Sequence, residues 1–145
     1  MTYTFSIIKP DAVEKNHTDA ILRRISNSGF RIIGIKNEVL SKEKAEEFYS
    51  IHKAKPFYKD LIEFMTSGKI VTLALSYNNI YDGTPAFEKY RDLIGDTDPK
   101  ESKTGTLRNL YGTDIARNAV HGADSSENAK AEILFFFPEF VNKLI

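Results

Sequence analysis

Stretches with the alternating or β-branched pattern of strands recur along the whole chain, and helical patterns separate them. Tyr3, Phe5 and Ile7 alternate with their neighbours and predict a first strand. Further strands are predicted over residues 30–40, 70–76 and 119–121, and helices over residues 19–28, after Ser41, between Pro56 and Gly68, over residues 87–94 and from Asp124 onward. The order β-α-β-α-α-β-α-β-α indicates an α/β sandwich, and both a β-α-β crossover and a split β-α-β arrangement fit it.

The composition narrows the classes of protein that fit. The 145 residues suit one domain, residues 1–145. A net charge of zero argues against a protein that binds nucleic acid specifically. Cysteine is absent, which excludes disulfides and thiolate sites, and three histidines leave little material for a histidine metal site. The N-terminus lacks a signal-peptide pattern and the apolar runs are too short to span a bilayer, so we expect a cytoplasmic protein with no membrane partner.

His121 ends the last predicted strand and is followed by a glycine and a helix start. Side chains at such a strand end face a crevice, and a neutral imidazole is available there as a nucleophile at physiological pH. Glu132 lies eleven residues later, in the next predicted helix, where its carboxylate could hold one ring nitrogen. The alternative is an ordinary strand histidine that bonds to backbone, and spacing alone favours that alternative.

Basic and hydroxyl side chains collect in and around residues 95–113, which lack periodicity and predict a long loop. Guanidinium groups bond phosphate oxygens in pairs and hydroxyls add donors, so the set suits a phosphate site. Lys9, at the end of the first strand, can reach the same crevice, whereas Asp96 and Glu101 fit an ordinary solvated loop equally well. The set comprises Arg91, Thr97, Lys100, Lys103, Thr104, Thr106, Arg108 and Arg117.

These segments together resemble the nucleoside diphosphate kinase family over nearly the whole chain. The matching motifs are residues 7–13, 29–36, 55–58, 95–99, 105–108 and 118–125, with Glu132 and Ile133 behind them. The resemblance implies a ferredoxin-like α/β sandwich, in which helices flank a four-stranded antiparallel sheet. It also implies that the γ-phosphoryl group of ATP or another nucleoside triphosphate passes to a nucleoside diphosphate in a ping-pong reaction with broad base specificity.

The same resemblance assigns roles to individual residues. The phosphoryl group is carried on Nδ1 of His121, and Glu132 bonds the other ring nitrogen. Lys9 and Asn118 contact the sugar hydroxyls, Tyr49 positions Lys9 and the phosphates, Arg91, Thr97 and Arg108 hold the β- and γ-phosphates, and Phe57, Ile115 and Leu61 hold the base. Mg²⁺ arrives on the nucleotide phosphates, so no metal ligands are expected from the protein. The resemblance further implies a homo-oligomer, either a hexamer or a tetramer of dimers.

Three features depart from the family pattern. Ala123 stands where the family usually has a serine whose hydroxyl helps to hold the glutamate, so we expect a looser Glu132 and a slower enzyme. Asp98 replaces a common asparagine, which we expect to matter little. The segment from Ser76 to Tyr90 is about six residues longer than the family pattern, a loop length that could cover the nucleotide or alter subunit contacts. Because Arg91 directly follows this segment, its place in the site is the assignment that the extra length would change most.

Two rival functions remain open at this point. One is a related phosphotransferase with a narrower range of substrates, shaped by the long segment before Arg91. The other is a non-catalytic module that binds nucleotides, and the presence of His121, Lys9 and Arg108 argues against it. Phe57 and Tyr49 also have an alternative reading, because single aromatic residues at helical spacing more often belong to the hydrophobic core.

Overall fold

The computed structural model describes residues 2–144 and contains one four-stranded sheet in the order β2-β3-β1-β4. The strands are β1 (Thr2–Ile8), β2 (Phe30–Val39), β3 (Lys69–Tyr77) and β4 (Val120–Gly122). All three pairings are antiparallel, and β1 lies between β3 and β4. This topology is the split β-α-β arrangement, so it confirms the ferredoxin-like fold that the resemblance implies and rules out the parallel crossover that periodicity left open.

Seven α-helices surround this sheet in the described part of the chain. They are α1 (Pro10–Glu14), α2 (Thr18–Asn27), α3 (Lys42–Phe48), α4 (Tyr58–Met65), α5 (Ala86–Ile94), α6 (Leu107–Tyr111) and α7 (Ser126–Phe136). Short 3₁₀ turns cover Ser50–His52 and Pro138–Phe140. None of the helices within residues 2–144 is both long and apolar enough to cross a membrane.

Helix ends depend on caps, and the caps explain where the sequence predictions were wrong. The long loop predicted over residues 95–113 contains α6, which begins because the Thr106 hydroxyl accepts a hydrogen bond from the Asn109 N–H. The last helix is capped by Ser125, whose hydroxyl accepts from the Asn128 N–H, and Asp124 is not the cap. Ser41 caps α3 as predicted.

Both faces of the sheet are covered, because side chains of β1 alternate between two apolar layers. Phe5 and Ile7 pack with residues of α3, α4 and α7, whereas Ile8 packs with residues of α2 and α5. Residues Thr4 to Ile8 are all buried, as expected for the central strand of a sheet covered on both faces. The end of β1 therefore delivers the next residue, Lys9, to the edge of the core.

The turn at the start of the long segment before Arg91 lies at the opposite end of the sheet from Lys9. Tyr77 pairs with Thr2, at the start of β1, whereas His121 pairs with Ile7 near its end. Five residues along a strand span about 17 Å. Two hydrogen bonds hold the turn after Tyr77 at this end. The Tyr77 hydroxyl donates to Asp82, and the Ala86 N–H donates to the Thr2 hydroxyl. The turn is thus at the wrong end of the sheet to cover a ligand at His121.

Candidate functional site

His121 and Glu132 meet at the edge of the sheet. The His121 side chain leaves β4 on the face covered by α7, where its Nε2 lies 2.6 Å from the Glu132 Oε1. A carboxylate can only accept a hydrogen bond, so the neutral ring carries its proton on Nε2 and has a lone pair on Nδ1. The His121 side chain is 22% exposed. Its Nδ1 makes no hydrogen bond to any residue within 2–144 and is free to react.

Two phenyl rings from the core fix the plane of the His121 ring. Phe5 meets it edge-on at a centroid distance of 6.0 Å, and Phe48 does so at 5.8 Å. Tyr49, next to Phe48, is buried, and its burial, with a smaller contribution from the Glu132 charge, raises the pKa of its hydroxyl. Phe48 is not among the residues predicted for the site, because an edge contact with a histidine leaves no signal in spacing.

Three of the predicted nucleotide-binding residues form a connected chain. The Lys9 ammonium donates to the Asn118 side-chain oxygen at 2.7 Å, and the Asn118 amide donates to the Thr97 carbonyl at 3.0 Å. Lys9 is 9% exposed. Burial, and to a smaller extent the charge of Arg108, lowers the pKa of Lys9 to about 8. Lys9, Asn118 and Thr97 are therefore brought together as predicted from the sequence.

Arg108 is held against the backbone beside His121. Its guanidinium donates to the Val120 carbonyl at 3.0 Å and to the Gly95 carbonyl at 3.1 Å. Burial, followed by the charge of nearby Arg91, lowers the pKa of Arg108 to about 10. Its Nε is buried without a partner in the described residues. Arg91 therefore lies within electrostatic range of Arg108 despite the long segment before Arg91, and a pair of guanidinium groups suits a polyvalent anion.

A strained turn carries the chain from Asn118 into β4. Ala119 has φ of 74°, a left-handed conformation that costs about 1 to 2 kcal/mol for a residue with a side chain. Its N–H donates to the Asp11 carboxylate at 3.1 Å, and its carbonyl accepts from the Lys9 N–H at 2.8 Å. Burial raises the pKa of Asp11. Asp11 is not among the residues predicted for the site, yet it holds the turn that places Asn118 and His121.

The predicted base-binding residues lie on the surface. Phe57 is 49% exposed and Ile115 is 60% exposed, whereas Leu61 is partly buried against the core. A shallow hollow of about 360 Å³ lies beside Ile115, lined also by Asp98 and Asp114. Exposed apolar side chains of this size suit stacking on a planar ring.

Comparison of the chain with known proteins shows which family it belongs to. The family model described as nucleoside diphosphate kinase matches residues 2–141. The chain belongs to the nucleoside diphosphate kinase family. This membership confirms the resemblance inferred from the motifs.

Relatives of the family cover almost the whole chain. A nucleoside diphosphate kinase of Campylobacter jejuni is 53% identical over 94% of this chain and 96% of its own length. A solved nucleoside diphosphate kinase of Aquifex aeolicus has a TM-score of 0.87 and 39% identity, and covers 94% of each chain. A halophilic nucleoside diphosphate kinase of Halobacterium salinarum, solved in complex with CDP, has a TM-score of 0.85 and 32% identity over 93% of this chain and 86% of its own.

The first testable prediction concerns Ala123, which stands where the family usually has a serine. Ala123 is buried, and the hydrogen bond recorded for the Glu132 carboxylate is the one with His121. Replacing Ala123 by serine is expected to add a donor to Glu132 and to speed phosphorylation of His121 roughly fivefold, the effect of about 1 kcal/mol. Single-turnover mixing with ATP measures this rate. The control is Ala131→Ser, on the exposed side of α7, the helix that carries Glu132. An unchanged rate in Ala123→Ser would contradict the prediction.

Proposed function

We propose that the chain transfers the γ-phosphoryl group of ATP, or of another nucleoside triphosphate, to a nucleoside diphosphate through a phosphohistidine at His121. The observation that carries this proposal is the 2.6 Å contact between His121 Nε2 and Glu132, which leaves Nδ1 unbonded. The adjacent Val120 carbonyl holds the Arg108 guanidinium beside the same strand. A fixed nucleophile next to buried positive charge is what phosphoryl transfer from a nucleotide needs.

The reaction runs as two half-reactions. The Nδ1 lone pair of His121 attacks the γ-phosphorus, the bond to the bridging oxygen breaks, and the diphosphate leaves. The Nε2 proton stays in place, and the Glu132 carboxylate faces the positive ring that forms. A terminal phosphate oxygen of the incoming diphosphate then attacks the phosphorus, and the nitrogen–phosphorus bond breaks. His121 returns to its starting state without an external proton donor.

The remaining predicted residues bind and orient the nucleotide. Arg91, Thr97 and Arg108 hold the phosphates, and Lys9 and Asn118 hold the sugar. Tyr49 helps to position Lys9 and the phosphates. A kinase of this family uses a divalent metal, and we propose Mg²⁺ carried on the nucleotide phosphates. In the described residues no group of three or more acidic or histidine side chains could hold a metal ion, whereas the cationic side chains here suit phosphate. Phe57 and Ile115 sandwich the base, and Leu61 lines its edge. This slot accepts every base, since every base has a π-face.

The state of Lys9 predicts how activity depends on pH. A lysine loses its charge as the pH rises through its pKa, which for Lys9 is about 8 in the free protein. Since kcat/KM reports the free enzyme, we expect it to fall above pH 8, towards about tenfold per pH unit. Rates measured between pH 6 and 10 test this expectation. Lys9→Arg, whose guanidinium stays charged, should lose the decline, and a flat wild-type profile would contradict the prediction.

The half-reaction without an acceptor tests the function itself. Mixed with excess MgATP alone, the protein is expected to release a stoichiometric burst of ADP and then stop. Addition of GDP, CDP or a deoxynucleoside diphosphate should restart turnover, and similar rates with all of them would exclude the narrower phosphotransferase. Retained nucleotide binding with no burst would overturn the proposal in favour of a non-catalytic nucleotide-binding module.

We propose that residues 1–145 form a single domain that assembles as a homo-oligomer in the cytoplasm, where its nucleotide substrates are pooled. The edge strand β2 supports assembly, because Ile35 and Val39 on it are 47% and 60% exposed. Exposed apolar edges are usually covered by another chain. Sedimentation equilibrium tests this arrangement, and a monomer at micromolar concentration would contradict it.

A further inference from the structure

Tyr90 joins α5 to the centre of the sheet. It is the largest fully buried side chain in residues 2–144, and it stands directly before Arg91. Its hydroxyl lies 2.6 Å from the Ser6 hydroxyl of β1, which is also fully buried. The surrounding layer is apolar. This buried hydrogen bond opposes rotation of α5 about its axis, because a rotation that separates the two groups leaves both hydroxyls buried and without each other.

The Tyr90 ring also lies against the backbone that follows His121. A Cβ added to Gly122 would come within 3.2 Å of the Tyr90 ring and 2.9 Å of the Ile94 side chain, so α5 packs closely here because residue 122 is a glycine. Gly122 pairs with Ser6 across the β1–β4 ladder. Tyr90 therefore contacts both strands beneath His121, on the face of the sheet opposite to Glu132.

The same helix supplies the positive side of the site. Arg91 is the next residue, and the carbonyl of Gly95, directly after the helix, accepts from the Arg108 guanidinium at 3.1 Å. The two guanidinium groups lie close enough for Arg91 to lower the pKa of Arg108. Like charges repel, so the elements that carry the two arginines must be held in place before an anion arrives. A shift of α5 along β1 would move Arg91 relative to His121.

We propose that Tyr90 is a positioning residue, which sets the place of Arg91 relative to His121 through its hydrogen bond to Ser6 and its contact with Gly122. This proposal rests on the proposed function, since it assigns Tyr90 to the presentation of the γ-phosphate to His121. Tyr90 touches no substrate, and its effect passes through the position of α5.

Tyr90→Phe tests the proposal because it removes the hydroxyl and keeps the ring. We expect kcat to fall about tenfold with little change in KM, since small misplacements of a phosphate contact act mainly in the transition state. Tyr77→Phe is the matched control, because it removes a hydroxyl bonded to Asp82 at the far end of the sheet and should keep full activity. A Tyr90→Phe variant with wild-type kcat would overturn the proposal.

Two double variants separate positioning from stability. Tyr90→Phe leaves the Ser6 hydroxyl unpaired, and adding Ser6→Ala removes both partners, so stability should recover while kcat stays low. In an Arg91→Ala background, Tyr90→Phe should change kcat less than twofold, because its route of action is gone. Recovery of kcat together with stability, or a full tenfold loss without Arg91, would each overturn the proposal. A wild-type protein that forms no phosphohistidine would instead refute the proposed function, whatever Tyr90 does.

Discussion

Replacing His121 by alanine is expected to lower kcat/KM roughly 10⁴-fold or more, because covalent catalysis ends when its nucleophile is removed. No other side chain of β4 can take over as the nucleophile, since the flanking Val120 and Gly122 carry no reactive atoms. The His121 side chain is partly exposed, so its removal should leave the fold intact.

Steady-state assays with ATP and a nucleoside diphosphate measure this loss. His17→Ala is the matched control, because His17 packs at a tilt against Tyr111 at a centroid distance of 4.9 Å and has no place in the proposed reaction. It should keep nearly full activity. A His121→Ala variant with a tenth of the wild-type rate would show that the phosphoryl group does not pass through His121.

Replacing Arg108 by alanine is expected to lower kcat roughly 10² to 10³-fold, the usual loss when a fixed donor to a developing negative charge is removed. The Val120 and Gly95 carbonyls hold the guanidinium in place before the nucleotide binds. Its pKa of about 10 keeps it charged at neutral pH. Arg108→Lys should restore only part of the rate, because an ammonium cannot bond both carbonyls and a phosphate with the same planar fork.

The control for Arg108 is Arg23→Ala, an exposed arginine of α2 that should tolerate the change. Because Arg108 is buried, chemical unfolding of each variant must accompany the rates. A folded Arg108→Ala variant with wild-type kcat would contradict the assigned role. A variant that fails to fold is answered by Arg108→Lys, which keeps the buried charge.

The order of strands and helices was predictable from the sequence because each element carries its own period. The choice of topology was not, since pairing of β1 with β3 and β4 joins residues that lie far apart in the chain, and local patterns carry no record of it. The family resemblance supplied that choice. Helix α6 escaped prediction because it has about one turn and its signal is a single cap at Thr106.

Spacing alone favoured an ordinary strand histidine at His121, and the loop around Arg108 fitted an ordinary solvated loop equally well. With the family resemblance, His121, Glu132, Lys9 and Arg108 could be named as site residues. The turn at Ala119 could not, because its positive φ is imposed by Asp11 and Lys9 and alanine does not signal it. The same limit applies to hydrogen bonds between distant residues, whose partners only the folded chain brings together.

A labelling experiment can show whether the phosphoryl group rests on His121. The protein is incubated with γ-labelled ATP and magnesium without an acceptor, and the label is then located by peptide mapping. We expect an acid-labile, alkali-stable label on His121 of the wild-type protein, which GDP or CDP discharges. The His121→Ala variant should carry no such label. Label on another residue, or no label while ATP still binds, would contradict this expectation.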